Sequence, residues 1–169
     1  NFIKKIMTKV LKVGIIGLGV GNKHFETFLK HPNCKVIGIS EFDKKKICKI
    51  KNKYPNIKFY KDAKKLISNK LIDLVTIASY DNYHCDQILY SIKQKKHIFS
   101  EKPLCTDYYE YLKIKKALSR NKNIKLSSNL ILRNSPQFLK LKNELKKKYF
   151  SNIYYLTGEY NYGRLNKLI

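Results

Sequence analysis

The sequence predicts a doubly wound α/β fold of the Rossmann type, a parallel sheet with helices on both faces. Three observations carry that prediction. Short apolar, β-rich runs alternate with longer amphipathic stretches from Leu11 to Ser128, the strand-helix order that a covered parallel sheet requires. The first apolar run leads directly into "GLGVGNKH", where Gly17, Gly19 and Gly21 stand two residues apart. The second run closes on Glu41 in "VIGISEFD", about 20 residues further on, where such sheets place an acid for a ribose diol, with Asp43 as the competing acid.

The predicted strands are Leu11 to Ile16, Lys35 to Ser40, Lys58 to Tyr60, Asp73 to Ala78, His97 to Ser100 and Ile124 to Ser128. Between them the spacing predicts helices over Asn22 to Lys30, Lys44 to Tyr54, Ala63 to Asn69, His84 to Lys95 and Asp107 to Arg120, the last capped by Thr106. Crossovers of this length are right-handed, which places a ligand crevice at the C-terminal ends of the strands. Residues 9–128 are therefore expected to form a dinucleotide-binding domain. After Asn129 the character changes. "RNSPQFLKLKNELKKKYF" predicts a helix opening near Ser135 and Pro136, and "NIYYLTGEYNYG" predicts a strand over Ile153 to Tyr162. One helix and one strand cannot build a core, so residues 129–169 are expected to begin an α+β second domain that the chain does not finish.

Composition narrows the function classes. Lys and Arg number 36 against 12 acids, a net charge of +24, yet the cations are scattered along helical segments. Arg occurs only at Arg120, Arg133 and Arg164, whereas base readout and bidentate phosphate clamping favour Arg; no nucleic-acid partner is expected. The four cysteines, Cys34, Cys48, Cys85 and Cys105, show no metal-ligand or disulfide spacing, so neither a metal site nor a disulfide framework is expected, and a reducing cytoplasm fits. No apolar run reaches the length of a transmembrane helix, so no membrane partner is expected. Met7 is the sole methionine, and residues 1–6 are expected to lie upstream of the natural start.

Two motifs carry chemistry. The glycine turn follows a strand and opens a helix, the setting in which backbone N–H groups and the helix dipole hold a pyrophosphate. "KKHIFSEKPLC" then places Lys102 just past a buried strand end, reaching into the crevice of such a sheet.

Together these stretches resemble the Gfo/Idh/MocA oxidoreductases, the family of glucose-fructose oxidoreductase and inositol dehydrogenase, marked by a glycine turn followed by a His and later by Glu-Lys-Pro. The resemblance covers nearly the whole chain from Lys9. "GLGVGNKH" is similar to the family's shorter-loop variant. "TIASYDNYHCDQI" is similar to the segment ending the fourth strand, with Ser79-Tyr80 where Thr-Pro more usually stands and a matching His84. "NLILRNSPQF" is similar to the stretch leading into the second domain, and "YYLTGEYNYGR" to that domain's first strand.

The resemblance implies hydride transfer between a nicotinamide cofactor and a sugar, cyclitol or sugar-nucleotide hydroxyl. It implies Lys102 as the catalytic residue beside the nicotinamide, and a cofactor site made by Gly17, Gly19, Val20, Gly21, Glu41, Ser79, Tyr80, His84, Glu101, Lys102 and Asn129. It also implies a cis bond between Lys102 and Pro103, a small sugar-like substrate and a homo-oligomeric full-length protein. Glu41 points to NAD, because a carboxylate accepts from a 2′-OH and repels a 2′-phosphate; Lys44, Lys45 and Lys46 close behind it keep NADP as the alternative. A nucleotide-binding module without turnover is the second reading. The remaining acid/base groups are expected beyond Ile169, so the chain alone is expected to bind cofactor weakly, to show no turnover and to associate. His24, His31 and His97 read as packing residues, and the tyrosines from Tyr108 to Tyr111 as core and surface.

Overall fold

The structure is a computed structural model and describes residues 10–147, 152–159 and 161. Six strands, β1 (Leu11–Ile16), β2 (Cys34–Ser40), β3 (Lys58–Tyr60), β4 (Leu74–Ile77), β5 (His97–Ser100) and β6 (Leu126–Ser128), form one sheet. The order is β3-β2-β1-β4-β5-β6, and every neighbouring pair is parallel. The chain winds outward from β1 in both directions, so the strand order reverses between β1 and β4. A doubly wound sheet opens a crevice at that reversal.

The helices are α1 (Gly21–Lys30), α2 (Lys44–Lys53), α3 (Ala63–Ile67), α4 (His84–Lys93), α5 (Tyr108–Ser119) and α6 (Pro136–Lys146). They cover two apolar layers, because side chains alternate across each strand. One layer packs Val13, Ile15, Val36 and Ile39 of the sheet with Phe25 of α1 and Ile50 of α2. The other packs Ile16, Val75, Ile77 and Ile98 with Leu66 of α3, Ile88 of α4 and Ile114 of α5.

Element ends differ from the sequence expectation for local reasons. Helix α4 stops at Lys93 because Lys95 takes the left-handed conformation, φ 56°, which ends a right-handed helix. Helix α3 stops at Ile67, where the Asn69 N–H turns back to the Leu66 carbonyl. The cap of α5 is Asp107, not Thr106: the Asp107 carboxylate accepts from the Glu110 N–H, while the Thr106 N–H and hydroxyl both donate to the Glu110 carboxylate. Thr106 thus serves as the donor side of a capping box shifted by one residue.

The chain divides into two compact units between Leu130 and Ile131. In the second, a 3-10 turn (Ile131–Asn134) precedes α6, whose cap Ser135 accepts from the Phe138 N–H with Pro136 in the first turn. The expected strand over Ile153 to Tyr162 is corrected: residues 152–159 carry no strand pairing. A strand is stabilised by its ladder, and no described residue supplies one here. Tyr160 and Tyr162 lie outside the described residues.

Candidate functional site

Register brings the site together. The pairings Ile16 with Ser40, Ser40 with Tyr60, Ile16 with Ile77, Ile77 with Ser100 and Ser100 with Ser128 put the last residues of all six strands in one row. The next residue of each strand therefore emerges at the same edge: Gly17, Glu41, Lys61, Ala78, Glu101 and Asn129. Backbone bonds extend the ladder to that row, from Gly17 N–H to Ser40, Ala78 N–H to Ile16, Glu101 N–H to Ile77 and Asn129 N–H to Ser100.

At the β1/β4 reversal lies a crevice of about 740 Å³. Six of the sequence-predicted residues line it: Gly17, Gly19, Val20, Glu41, Ser79 and Tyr80. Gly17 has φ +82°, and a Cβ there would collide with the Ala78 carbonyl, so the turn passes β4 only as glycine. Gly19 is different. A Cβ there would meet nothing within 4 Å, so the fold does not require glycine at this position.

Helix α1 opens from this turn with Val20 at its cap position and no capping side chain, whereas Asp43, Asp62, Asp107 and Ser135 cap α2, α3, α5 and α6. Helix α4 likewise starts without a capping side chain, but only α1 opens from the glycine turn at the crevice, and a helix start without a capping side chain there attracts anions.

Glu41 is buried, 4% exposed. Its Oε2 accepts from the Leu18 N–H at 2.7 Å, and its Oε1 from the Phe42 and Asp43 N–H groups at 2.8 and 3.0 Å. The carboxylate thus clamps the glycine turn to the end of β2 and keeps lone-pair capacity toward the crevice. Lys46 and Lys61 line the same space. Tyr80 is largely exposed at the crevice and has φ −69°, an angle that the proline expected from the resemblance could also adopt.

A second cluster forms where β4, β5 and β6 meet α1. The Glu101 carboxylate, nearly buried, accepts at Oε1 from Asn129 Nδ2 at 2.7 Å and stands 2.8 Å from His24 Nε2; its Oε2 accepts from the Lys102 N–H at 3.3 Å. Burial pushes the Glu101 pKa up, and the hydrogen bonds from Asn129, His24 and Lys102 outweigh burial, holding it below the usual carboxylate value. His24 Nδ1 lies 2.7 Å from the Thr76 hydroxyl. Lys102 is exposed at the strand end, and its bond to Pro103 is cis, as the motif led us to expect.

The other expected residues fall outside these two groups. Gly21 packs in the first turn of α1, where a Cβ would press on Ala78 Cβ at 3.1 Å. His84 is fully buried, with its ring nitrogens 2.7 Å from the Pro103 carbonyl and 3.2 Å from the Ser79 carbonyl. It sits between the loops that follow β4 and β5 and does not line the crevice. The sequence reading of His24 as packing missed its link to Glu101; the signal available was a His after the glycine turn and a Glu before Lys-Pro.

Residues 11–130 match the sequence profile of the Gfo/Idh/MocA oxidoreductase family, described as having an NAD-binding Rossmann fold. The chain belongs to this family. A Gfo/Idh/MocA relative, myo-inositol 2-dehydrogenase of Thermotoga maritima, is 34% identical over 95 residues, 56% of this chain and 28% of that protein. Scyllo-inositol dehydrogenase from Lactobacillus casei, solved with NAD(H) and scyllo-inositol bound, shares the fold with a TM-score of 0.80 at 23% identity, covering 86% of this chain and 43% of that one. A probable dehydrogenase from Thermotoga maritima superposes with a TM-score of 0.75 at 28% identity, over 81% of this chain and 41% of that one. The chain spans less than half the length of these relatives. The Gfo/Idh/MocA sheet identified here is accordingly an NAD-binding Rossmann fold. No helix among the described residues is long and apolar enough to cross a membrane.

Proposed function

We propose that this chain is the cofactor-binding part of an NAD-dependent dehydrogenase that moves a hydride between nicotinamide and a hydroxyl-bearing carbon of a sugar, cyclitol or sugar nucleotide. The observation that carries this reading is Gly19, a glycine whose missing side chain the fold does not need, set in the crevice beside an uncapped helix start. Backbone left bare toward a crevice admits a pyrophosphate.

When bound, NAD supplies the hydride acceptor for oxidation of the alcohol carbon to a carbonyl. The residues of this chain bind it and supply part of the site. The turn from Gly17 to Gly21 binds the pyrophosphate, and Glu41, held by three backbone amides, accepts from the ribose diol. Val20, Ser79 and Tyr80 shape the walls, and Glu101 and Asn129 order the segment that carries Lys102. The Lys102 ammonium stabilises the alkoxide that develops on the substrate oxygen, and its neutral amine is able to take the hydroxyl proton. His84 supports the site through the Ser79 and Pro103 carbonyls.

The inositol dehydrogenases among the relatives support a cyclitol or sugar substrate. Residues 129–169 are read as the start of a substrate and oligomerisation domain, and the full-length protein as a cytoplasmic homo-oligomer. A second reading is a nucleotide-binding module without turnover, which the same glycine turn and crevice would serve.

Titration with NADH and NADPH, followed by NAD with a series of polyols, separates these readings. The dehydrogenase reading predicts saturable NADH binding, tighter than NADPH, weakened by Lys102→Met, with any turnover abolished by that change. The module reading predicts the same binding in both forms. NADPH binding more tightly than NADH would contradict the role given to Glu41.

A further inference from the structure

We propose that His24 is a positioning residue for Lys102, acting through Glu101; the inference rests on the reading of Lys102 as the group beside the nicotinamide. Four elements meet in the cluster around one carboxylate, Thr76 reaching it only through His24. His24 comes from α1, Thr76 from β4, Glu101 and Lys102 from the end of β5, and Asn129 from the end of β6. The chain of contacts runs from the Thr76 hydroxyl to His24 Nδ1, from His24 Nε2 to Glu101 Oε1, and from Glu101 Oε2 to the Lys102 N–H, at 2.7, 2.8 and 3.3 Å.

The proton positions follow from the acceptors. Ionised Glu101 only accepts, so His24 Nε2 carries the hydrogen of that bond. In the neutral ring Nδ1 then accepts from the Thr76 hydroxyl; in the imidazolium Nδ1 donates and the hydroxyl oxygen accepts. Both nitrogens are occupied in either state, so the ring does not turn. Its face is set against Phe99, with ring centroids 5.2 Å apart.

Core packing alone does not explain this cluster. His24, Thr76 and Glu101 are 7, 0 and 8% exposed, and well-packed apolar side chains of similar volume are often as stabilising as a buried polar cluster. What apolar side chains cannot do is fix the direction of a backbone N–H. Glu101 takes the Lys102 N–H, and His24 and Asn129 hold Glu101, so the point at which the Lys102 side chain leaves the sheet edge is set from α1 and β6. Since α1 also opens from the glycine turn, one hydrogen bond links the pyrophosphate end of the site to the Lys102 end.

The test compares NADH with ADP-ribose, which lacks the nicotinamide. In His24→Leu we expect NADH affinity to fall about tenfold, the scale of one hydrogen bond to a charged group, with ADP-ribose affinity unchanged. His24→Gln, whose amide still donates toward Glu101, recovers most of the loss. Adding Lys102→Met to His24→Leu gives no further loss. Equal weakening of NADH and ADP-ribose, or losses that multiply in the double variant, would overturn the proposal. Amide hydrogen exchange at Lys102 in the cofactor-free chain distinguishes the two ways of failing. Unchanged exchange in His24→Leu overturns the role of His24, whereas faster exchange with NADH affinity indifferent to Lys102→Met overturns the role of Lys102.

Discussion

Two glycines two positions apart answer to different demands. Gly17 is required by the protein itself, through its φ of +82° and the Ala78 carbonyl behind it. Gly17→Ala is expected to cost about 1–3 kcal/mol from backbone conformation alone, more with the collision, and urea unfolding checks it. Glu101 makes a pH-dependent contribution. Its pKa is lowered in the folded state, so the contribution is complete above the unfolded value of about 4.3 and drains away as pH falls through the folded one. The stability gap between the unaltered chain and Glu101→Gln should therefore be constant near neutrality and narrow in acid, read by thermal melts across that range. The placing of the glycine turn, Glu41 and Lys102 at or just past strand ends was legible in the sequence because each belongs to a local pattern. The link between His24 and Glu101 was not, because 77 residues separate them and only the register of β1, β4 and β5 makes them neighbours.

Helix ends and strand ends show where local signals suffice. The caps at Asp43, Asp62, Asp107 and Ser135 each accept from a first-turn N–H, and loss of such a cap costs about 0.5–2 kcal/mol. Asp107→Ala should destabilise within that range while Thr106→Val, which retains the Thr106 N–H, should cost less; comparing their denaturant midpoints checks the assignment. The sequence reading took Thr106 as the cap, and the Asp107 carboxylate, which accepts from the Glu110 N–H, moves the cap by one residue. Strand positions were readable because parallel strands buried on both faces are nearly continuous apolar runs. The segment at 152–159 has an alternating pattern but no ladder, so periodicity alone overstated it.

At the scale of the whole molecule, six strands and two apolar layers lie within residues 11–130, as do every residue lining the crevice and every member of the Glu101 cluster. A chain ending at Leu130 should therefore unfold cooperatively and keep its NADH affinity, measured by calorimetry and by titration; loss of either would place part of the site beyond Leu130. The measurement closest to the central claim, that the β1/β4 crevice is the NAD site, is an NADH titration of the unaltered chain beside Gly19→Val. A Cβ at Gly19 meets nothing in the protein within 4 Å, and on the proposed reading it enters the space of the bound pyrophosphate. The account predicts saturable NADH binding that Gly19→Val weakens by about tenfold or more, roughly the loss of one charged hydrogen bond, with the unfolding midpoint little changed. Equal NADH affinity in the two proteins would contradict it.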